Sequence, residues 1–216
     1  MAGGRKPEKV VAALIDRYGT TFVDEAGFVL RDTPSSLFRL LCLALLLSAR
    51  IRSSVAVNAA KALAKHKWTT PERLLKSSWS ERAKVLNQAG YARYDERTST
   101  MLEESARLLL DRWDGDLRKL RREAERNPRR ERQLLQQFKG IGEVGADIFC
   151  REAQALWEEL RPFADRRALA AAERIGLPAD PSRLARLVGQ DDLSTVVAAL
   201  IRLHLDKGYK SLVEAT

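Results

Sequence analysis

The chain has 216 residues, 45% of them hydrophobic and 31% charged, which is enough for one large or two small domains with a sizeable core. Lys and Arg outnumber Asp and Glu by 38 to 29, and this net charge of +9 favours a polyanionic partner, with nucleic acid first, over an acidic-patch receptor. The longest apolar run, LLCLALLL at 40–47, is too short to cross a bilayer, so no membrane partner is expected.

The N-terminal sequence MAGGRKPEKV lacks a secretory hydrophobic segment, which predicts a cytoplasmic location, nucleoid-associated if the source is bacterial. Cys42 and Cys150 lie far apart in apolar helical settings. Two cysteines alone cannot form a disulfide framework or a zinc or iron–sulfur site. We therefore expect buried, inert thiols and no metal.

Helix-start signals recur along the chain. Capping side chains precede a proline at Thr33-Pro34, Thr70-Pro71 and Asp180-Pro181, and Ser78 with Glu81 forms a capping box. Apolar residues follow at helical spacing, as in Leu102, Leu108, Leu109 and Trp113, or Val196, Val197, Leu200 and Ile201. Apart from a possible short extended piece at 28–30, these patterns predict an all-α protein.

The stretch from Arg118 to Arg132 is strongly charged, with eight Arg or Lys residues. It predicts either a solvated helix and loop or an arm that binds DNA. Either way, it places positive charge just ahead of a glycine-containing turn.

That turn is KGIG at 139–142, between a predicted helix over 132–138 and another over 144–160. Glycine tolerates positive φ, and without a Cβ it lets a phosphate oxygen approach backbone amides, to which the next helix adds its N-terminal N–H groups. The segment therefore predicts a grip on a nucleic-acid backbone, formed by Lys139, Gly140, Ile141, Gly142 and Gly145. The alternative is a helix C-cap at Gly140 and a simple turn at Gly142, without a ligand.

The segment FKGIGEVGADIF, residues 138–149, resembles the helix-hairpin-helix signature of the endonuclease III-like DNA glycosylases, usually Leu-Pro-Gly-Val-Gly before a short helical run. Those proteins carry an aspartate at a later helix start, matched here by Asp165 in PFADRRALAAAERIG. The segment 45–63 resembles their helix and loop with a gap-filling residue. The resemblance spans residues 35–190 and implies an all-α fold of two helical lobes with a DNA-binding cleft between them.

The resemblance implies that Asp165 is catalytic. An N-glycosidic bond breaks through a sugar with oxocarbenium character, which a carboxylate can stabilise while it orients or deprotonates the attacking water. The alternative is that Asp165 only caps its helix. Arg166 and Arg167 follow directly, where relatives often have smaller or neutral residues. They could clamp flanking phosphates or indicate a changed active site.

Two departures from the family concern its chemistry. Bifunctional members carry a lysine two residues after the second hairpin glycine, where it forms a Schiff base with the sugar, and that position is Val144 here. The resemblance therefore implies a monofunctional enzyme. Many relatives also end in a four-cysteine iron–sulfur loop, but no cysteine follows Cys150 here. We expect no cluster and instead packing of Val10, Leu14 and Phe22 against the helix with Val196 and Leu200.

A base in duplex DNA must be rotated out before a protein carboxylate can reach its sugar. By the resemblance, Arg50 matches the family's gap-filling side chain, and Tyr91 lies at the tip of its second intercalating loop. The alternatives are a surface arginine at position 50 and a tyrosine packed inside the domain at position 91. His66 and His204 lie in no recognisable motif.

We therefore predict a central helical lobe at 32–137, a hairpin with the second helix and the aspartate at 138–165, and a second lobe from 1–31 and 166–216. The predicted function is a monofunctional DNA glycosylase of base excision repair, a monomer without cofactor that acts on double-stranded DNA with a lesion or mismatch. The alternatives are a non-enzymatic helix-hairpin-helix DNA-binding protein and a bifunctional glycosylase/lyase.

Overall fold

A computed structural model of the chain describes residues 6–214, and within that range its regular structure is helical, without a β-strand. The predicted all-α class is therefore confirmed, and residues 28–30 form a loop rather than a strand. A short π-helical segment spans Asn87–Tyr91 and a 3₁₀ turn spans Glu158–Leu160. The α-helices are α1 (Pro7–Tyr18), α2 (Phe22–Glu25), α3 (Pro34–Leu47), α4 (Ser53–Lys65), α5 (Pro71–Leu75), α6 (Trp79–Leu86), α7 (Asp95–Trp113), α8 (Leu117–Glu123), α9 (Pro128–Leu135), α10 (Glu143–Ala153), α11 (Arg166–Arg174), α12 (Pro181–Val188), α13 (Leu193–Asp206) and α14 (Tyr209–Glu214).

The predicted helix starts are observed. Thr70 and Asp180 accept hydrogen bonds from backbone amides of α5 and α12, and Ser78 with Glu81 forms the complete capping box of α6. Thr33 precedes Pro34 at the start of α3, but its side chain makes no capping bond. Each side-chain cap satisfies amides that a helix leaves without an internal partner, so these boundaries are fixed locally.

The chain divides into two compact units. The central unit is Val23–Phe149, and the terminal unit combines the described residues up to Phe22 with those from Cys150 onward. The sequence predicts boundaries after residues 31, 137 and 165, with residues 138–165 as a separate segment. The structure instead places residues 23–31 and 138–149 in the central unit and residues 150–165 in the terminal unit.

The central unit is built on α3, whose apolar run is buried as predicted from Leu40 to Leu46. Helix α4 packs on α3, and α7 packs on α5 and α6. Arg82 on α6 is buried and forms an ion pair with Glu103 on α7, which compensates a charge that would otherwise be costly inside the unit. The hairpin belongs to the same unit.

In the terminal unit, α13 is the core helix, and both α1 and α11 pack against it. The five residues predicted to pack together are all buried: Val10, Leu14, Phe22, Val196 and Leu200. Full burial of such a side chain contributes about 1.5–3 kcal/mol. The prediction that the N-terminal segment packs on the C-terminal helix is confirmed. Because α11 rests on the same helix, this core also fixes the segment that begins with Asp165.

Candidate functional site

The hairpin, residues 136–142, joins α9 to α10 in the central unit. The amide of Ile141 donates to the carbonyl oxygen of Phe138 at 3.0 Å, which closes the turn. The amide of Ala146 donates to the carbonyl oxygen of Gly142 at 2.9 Å, which opens α10. The predicted helix, hairpin and helix are therefore present in the predicted order.

The flanking helices are displaced from their predicted ranges. The sequence predicts the first helix over 132–138, but α9 occupies Pro128–Leu135, because the side chain of Asn127 accepts from the amides of its first turn. The predicted second helix, 144–160, ends early, since α10 stops at Ala153. There the chain turns, and Arg161 donates from Nε to the carbonyl oxygen of Gln154 at 2.6 Å.

The three glycines near the turn have different structural requirements. Gly140 has φ +87°, and a Cβ on it would lie 2.8 Å from Sδ of Met101, so the fold itself requires glycine there. A Cβ on Gly145 would lie 2.7 Å from Oγ of Ser48, which explains this glycine by close packing. Gly142 is exposed, its φ is ordinary, and a Cβ on it would meet open space. Of these three glycines, only Gly142 has no steric reason to be glycine.

Contacts from the central unit hold the hairpin in place. Ser105 on α7 donates to the carbonyl oxygen of Lys139 at 3.2 Å, and Arg132 forms an ion pair with Asp147 that joins α9 to α10. Ile141 is only 3% exposed, so it could reach a ligand only through its backbone. Lys139 is exposed and places a cation beside the turn.

Two exposed side chains follow the hairpin in the first turn of α10. Glu143 is an acid at the helix end, where the helix dipole favours a negative charge. Val144 is 43% exposed. The position that the resemblance matches to a catalytic lysine is therefore open to solvent but carries an apolar side chain.

Asp165 lies in the terminal unit at the start of α11. Its Oδ1 accepts hydrogen bonds from the amides of Arg167 at 2.9 Å and Ala168 at 3.1 Å, so it caps the helix. The residue is nevertheless only 8% exposed. Oδ2 is buried and accepts no hydrogen bond from residues 6–214.

The residue facing Oδ2 is Arg151, in the last turn of α10. Its Nη2 lies 3.3 Å from Oδ2 of Asp165, and Arg151 is 5% exposed, so the ion pair is buried. The guanidinium also lies 5.8 Å from the ring centroid of Phe22. Sequence patterns do not indicate this pair, because nothing in residues 150–154 distinguishes Arg151 from an ordinary arginine near a helix end.

The loop before Asp165 is anchored to the end of α10. Buried Gln154 donates from Nε2 to the carbonyl oxygen of Phe163 at 2.9 Å, and its Oε1 accepts from the amide of Phe163 at 3.0 Å. Arg161 adds a bond from Nη2 to the carbonyl oxygen of Ala155 at 2.8 Å. These bonds limit where Asp165 can lie. Its position therefore depends on Gln154, which lies in no recognisable sequence motif.

Arg166 and Arg167 are both exposed in the first turn of α11. They contribute two positive charges directly beside the Asp165 cap. Their predicted role as phosphate contacts stays a prediction.

Arg50 lies in the loop between α3 and α4 and is exposed. The buried helix that precedes it ends at Leu47, as the resemblance requires for a residue at a helix end. Its gap-filling role stays a prediction.

The prediction that Tyr91 is a wedge is wrong. Tyr91 is 0% exposed, and its hydroxyl donates to the carbonyl oxygen of Leu46 at 2.7 Å. Burial raises the pKa of this phenol to about 12. The hydrogen bond and the surrounding core hold the ring inside the central unit, so it cannot enter a base stack. The exposed side chains of residues 87–93 are those of Asn87, Gln88, Ala92 and Arg93.

Positive charge is concentrated in the central unit. Residues 23–149 contain 24 Lys or Arg and 17 Asp or Glu, which accounts for +7 of the chain's net +9. The charged stretch 118–132 forms α8, a loop and most of α9, and this favours the solvated-helix interpretation. Several of its cations are neutralised locally, in the pairs Arg118–Asp116, Lys119–Asp114, Arg130–Glu125 and Arg132–Asp147.

The residues do not fit an iron–sulfur cluster, which needs four thiolates where the chain has two cysteines. Cys42 and Cys150 are both buried, and burial raises the pKa of the Cys42 thiol to about 12. Within residues 6–214, no three His, Cys, Asp or Glu side chains come together as a metal-binding group. In the same range, no helix is long and apolar enough to cross a bilayer.

No protein-family model and no curated protein matches the sequence. Among solved structures, the chain is similar to endonuclease III in a trapped covalent intermediate with DNA, an estranged-adenine complex. The identity is 15%, the TM-score is 0.50, and the match covers 92% of this chain and 86% of that one. The chain is also similar to a non-covalent endonuclease III–DNA complex. There the identity is 16%, the TM-score is 0.54, and the match covers 89% of this chain and 81% of that one. The predicted fold is therefore confirmed: the chain has the all-α fold of endonuclease III.

Proposed function

We propose that this chain is a monofunctional DNA glycosylase of base excision repair. It would hydrolyse the N-glycosidic bond of a damaged or mispaired base turned out of duplex DNA. The observation that carries the proposal is the state of Asp165, whose carboxylate is buried while its Oδ2 accepts no hydrogen bond within residues 6–214. Its charge is compensated only by the ion pair with Arg151 at 3.3 Å, without a hydrogen bond, so this carboxylate calls for an explanation beyond helix capping.

The chemistry follows from the two oxygens of this carboxylate. Oδ1 is held by the α11 amides, which fix the orientation of Asp165. Oδ2 remains to orient or deprotonate a water that attacks C1′, and its charge stabilises the oxocarbenium character of the sugar. The water supplies a hydroxyl to C1′, and the base leaves with the bonding electron pair and takes up a proton.

The hairpin would hold the DNA backbone. Gly142 leaves open space over the first amides of α10, and Lys139 stands exposed beside them. Together they offer a phosphate a helix N-terminus, a flexible cation and an approach without a Cβ in the way. The similarity in fold to endonuclease III bound to DNA supports a DNA partner. Arg166 and Arg167 would add phosphate contacts, and Arg50 would fill the gap left by the turned-out base.

The monofunctional assignment rests on Val144. An exposed valine has no nucleophile to form a Schiff base at C1′, so base loss would leave an abasic site with an intact strand.

The test is release of free base from duplexes with oxidised or deaminated pyrimidines, alkylated purines or mispairs. The wild type should release one class, and Asp165→Asn should lose this activity while its DNA affinity is retained. Asp180→Asn is the matched control, because Asp180 is also a helix N-cap in the terminal unit but is exposed. Equal activity of wild type and Asp165→Asn would remove Asp165 from the mechanism.

A second candidate function is non-enzymatic DNA binding through the hairpin. The buried pair of Asp165 with Arg151 favours it, because a carboxylate beside a guanidinium has less charge to offer a sugar. In that case, binding would be salt-sensitive, Asp165→Asn would leave it unchanged or tighter, and no lesion duplex would release a base.

A further inference from the structure

We propose that Arg151 is a positioning residue that sets how much negative charge Asp165 presents to the sugar. This inference rests on the proposed function of Asp165. It concerns one atom pair, Nη2 of Arg151 and Oδ2 of Asp165, which lie 3.3 Å apart in the terminal unit.

Arg151 is not needed to orient the carboxylate of Asp165. The two amides of α11 already fix the carboxylate through Oδ1, and Gln154 fixes the preceding loop through Phe163. Arg151 adds a positive charge next to Oδ2, the carboxylate oxygen that the amides do not bind. An opposite charge at this distance strongly changes the interaction of a carboxylate with other cations.

The pair is shielded from water, which strengthens its effect. Side-chain exposures are 6% for Arg151 and 7% for Asp165, so solvent screens their attraction weakly. Within residues 6–214, Nε of Arg151 makes no hydrogen bond, just as Oδ2 of Asp165 accepts none. The two groups therefore face each other mainly as charges rather than through a well-formed hydrogen bond.

A sugar that develops positive charge at C1′ would meet this pair rather than a lone carboxylate. The attraction from Asp165 would be partly offset by repulsion from Arg151. Arg151 therefore moderates the selectivity of the site for a cationic sugar over a neutral one, and removing its charge should raise that selectivity.

The experiment measures affinity and needs no base release. The 216-residue protein is titrated with two duplexes, one with a cationic pyrrolidine abasic analogue and one with a neutral tetrahydrofuran abasic analogue. The readout is the ratio of the two dissociation constants, because a general loss of stability or of DNA binding cancels in it. Arg151→Gln should raise the preference for the cationic duplex about tenfold over wild type. Arg151→Lys, which keeps the charge, should restore the wild-type ratio.

The matched control is Arg174→Gln, at the far end of α11, where the guanidinium stacks over Tyr209 at 3.9 Å. It should leave the ratio at the wild-type value. Asp165→Asn gives a second measurement with Arg151 intact, in case Arg151→Gln does not fold. There the uncompensated Arg151 should make the cationic duplex bind more weakly than the neutral one.

Three results would overturn the inference. If the cationic preference depends on Asp165 but not on Arg151, Arg151 has no such role, while the proposed function of Asp165 stands. If the ratio is one in Asp165→Asn, the charge of Arg151 is not felt at the site. If wild type, Arg151→Gln and Asp165→Asn all show a ratio of one, both this inference and the proposed role of Asp165 fail.

Discussion

A Cβ at position 140 would lie 2.8 Å from Sδ of Met101, so Gly140 is held against α7 of the central unit. Its φ of +87° is also one that other residues rarely adopt. We expect Gly140→Ala to destabilise the protein by about 1–3 kcal/mol. Chemical denaturation at neutral pH measures this change. Unchanged stability would mean that the turn can relax away from Met101.

Gly142 should behave in the opposite way. Serine fits its ordinary φ and the open space around it, and serine is a good residue before a helix, so Gly142→Ser should change stability by less than about 0.5 kcal/mol. Its hydroxyl would, however, occupy the approach to the α10 amides and compete for them. We expect duplex affinity to fall about tenfold, the equivalent of one lost charge-assisted hydrogen bond. Fluorescence anisotropy with a labelled duplex measures the change, and unaltered affinity would place the phosphate elsewhere.

Glu143 should weaken DNA binding in the wild type. Replacing its exposed carboxylate by an amide in Glu143→Gln removes a repulsion near the hairpin, and affinity should rise about threefold at low salt. The gain should shrink at high salt because the charges are exposed. Glu72→Gln is the control, since Glu72 is an exposed acid in the first turn of α5. An equal gain in both variants would indicate an effect of net charge alone.

Lysine at position 144 should create reactivity with abasic DNA. An amine there could attack C1′ of the open sugar with loss of water, and borohydride would reduce the imine to a stable cross-link. We expect a cross-link with Val144→Lys and none with wild type, as resolved by denaturing electrophoresis. Val29→Lys is the control, because Val29 is an exposed valine of the central unit outside the hairpin. A cross-link in wild type would contradict the monofunctional assignment.

Tyr91→Phe tests the corrected role of this residue. Loss of its hydrogen bond to Leu46 should lower the free energy of unfolding by about 1 kcal/mol but leave DNA affinity unchanged. By contrast, Arg50→Ala should weaken binding to an abasic duplex. Because the folded-state pKa of Tyr91 is raised to about 12, its contribution to stability is complete below about pH 10 and falls as pH rises towards 12. The stability difference between wild type and Tyr91→Phe should therefore narrow above pH 10. Weakened DNA binding by Tyr91→Phe would reopen a direct role.

Features governed by neighbouring residues were predictable from the sequence. The caps at Thr70, Ser78 and Asp180 and the turn at Gly140 depend on side chains within a few positions, and the structure contains all of them. The helix-capping role of Asp165 is likewise determined by nearby residues, because its carboxylate accepts hydrogen bonds from amides two and three residues later.

Features that depend on distant contacts were not predictable. Tyr91 lies in a polar, glycine-containing segment, but its ring is buried and its hydroxyl finds a carbonyl acceptor at Leu46 on another helix. The pairing of Arg151 with Asp165 needs the turn after α10 to bring the two together. Gly145 is a third example, because a Cβ at this position would collide with the distant Ser48.

The contacts around the hairpin have a further consequence for recognition. Ser105 fixes the carbonyl of Lys139, the Arg132–Asp147 pair ties the two flanking helices, and Gly140 fits against Met101. The turn is thus preorganised before any ligand arrives. An anion docking on it would order little additional backbone, so a larger share of the interaction energy would be retained as affinity.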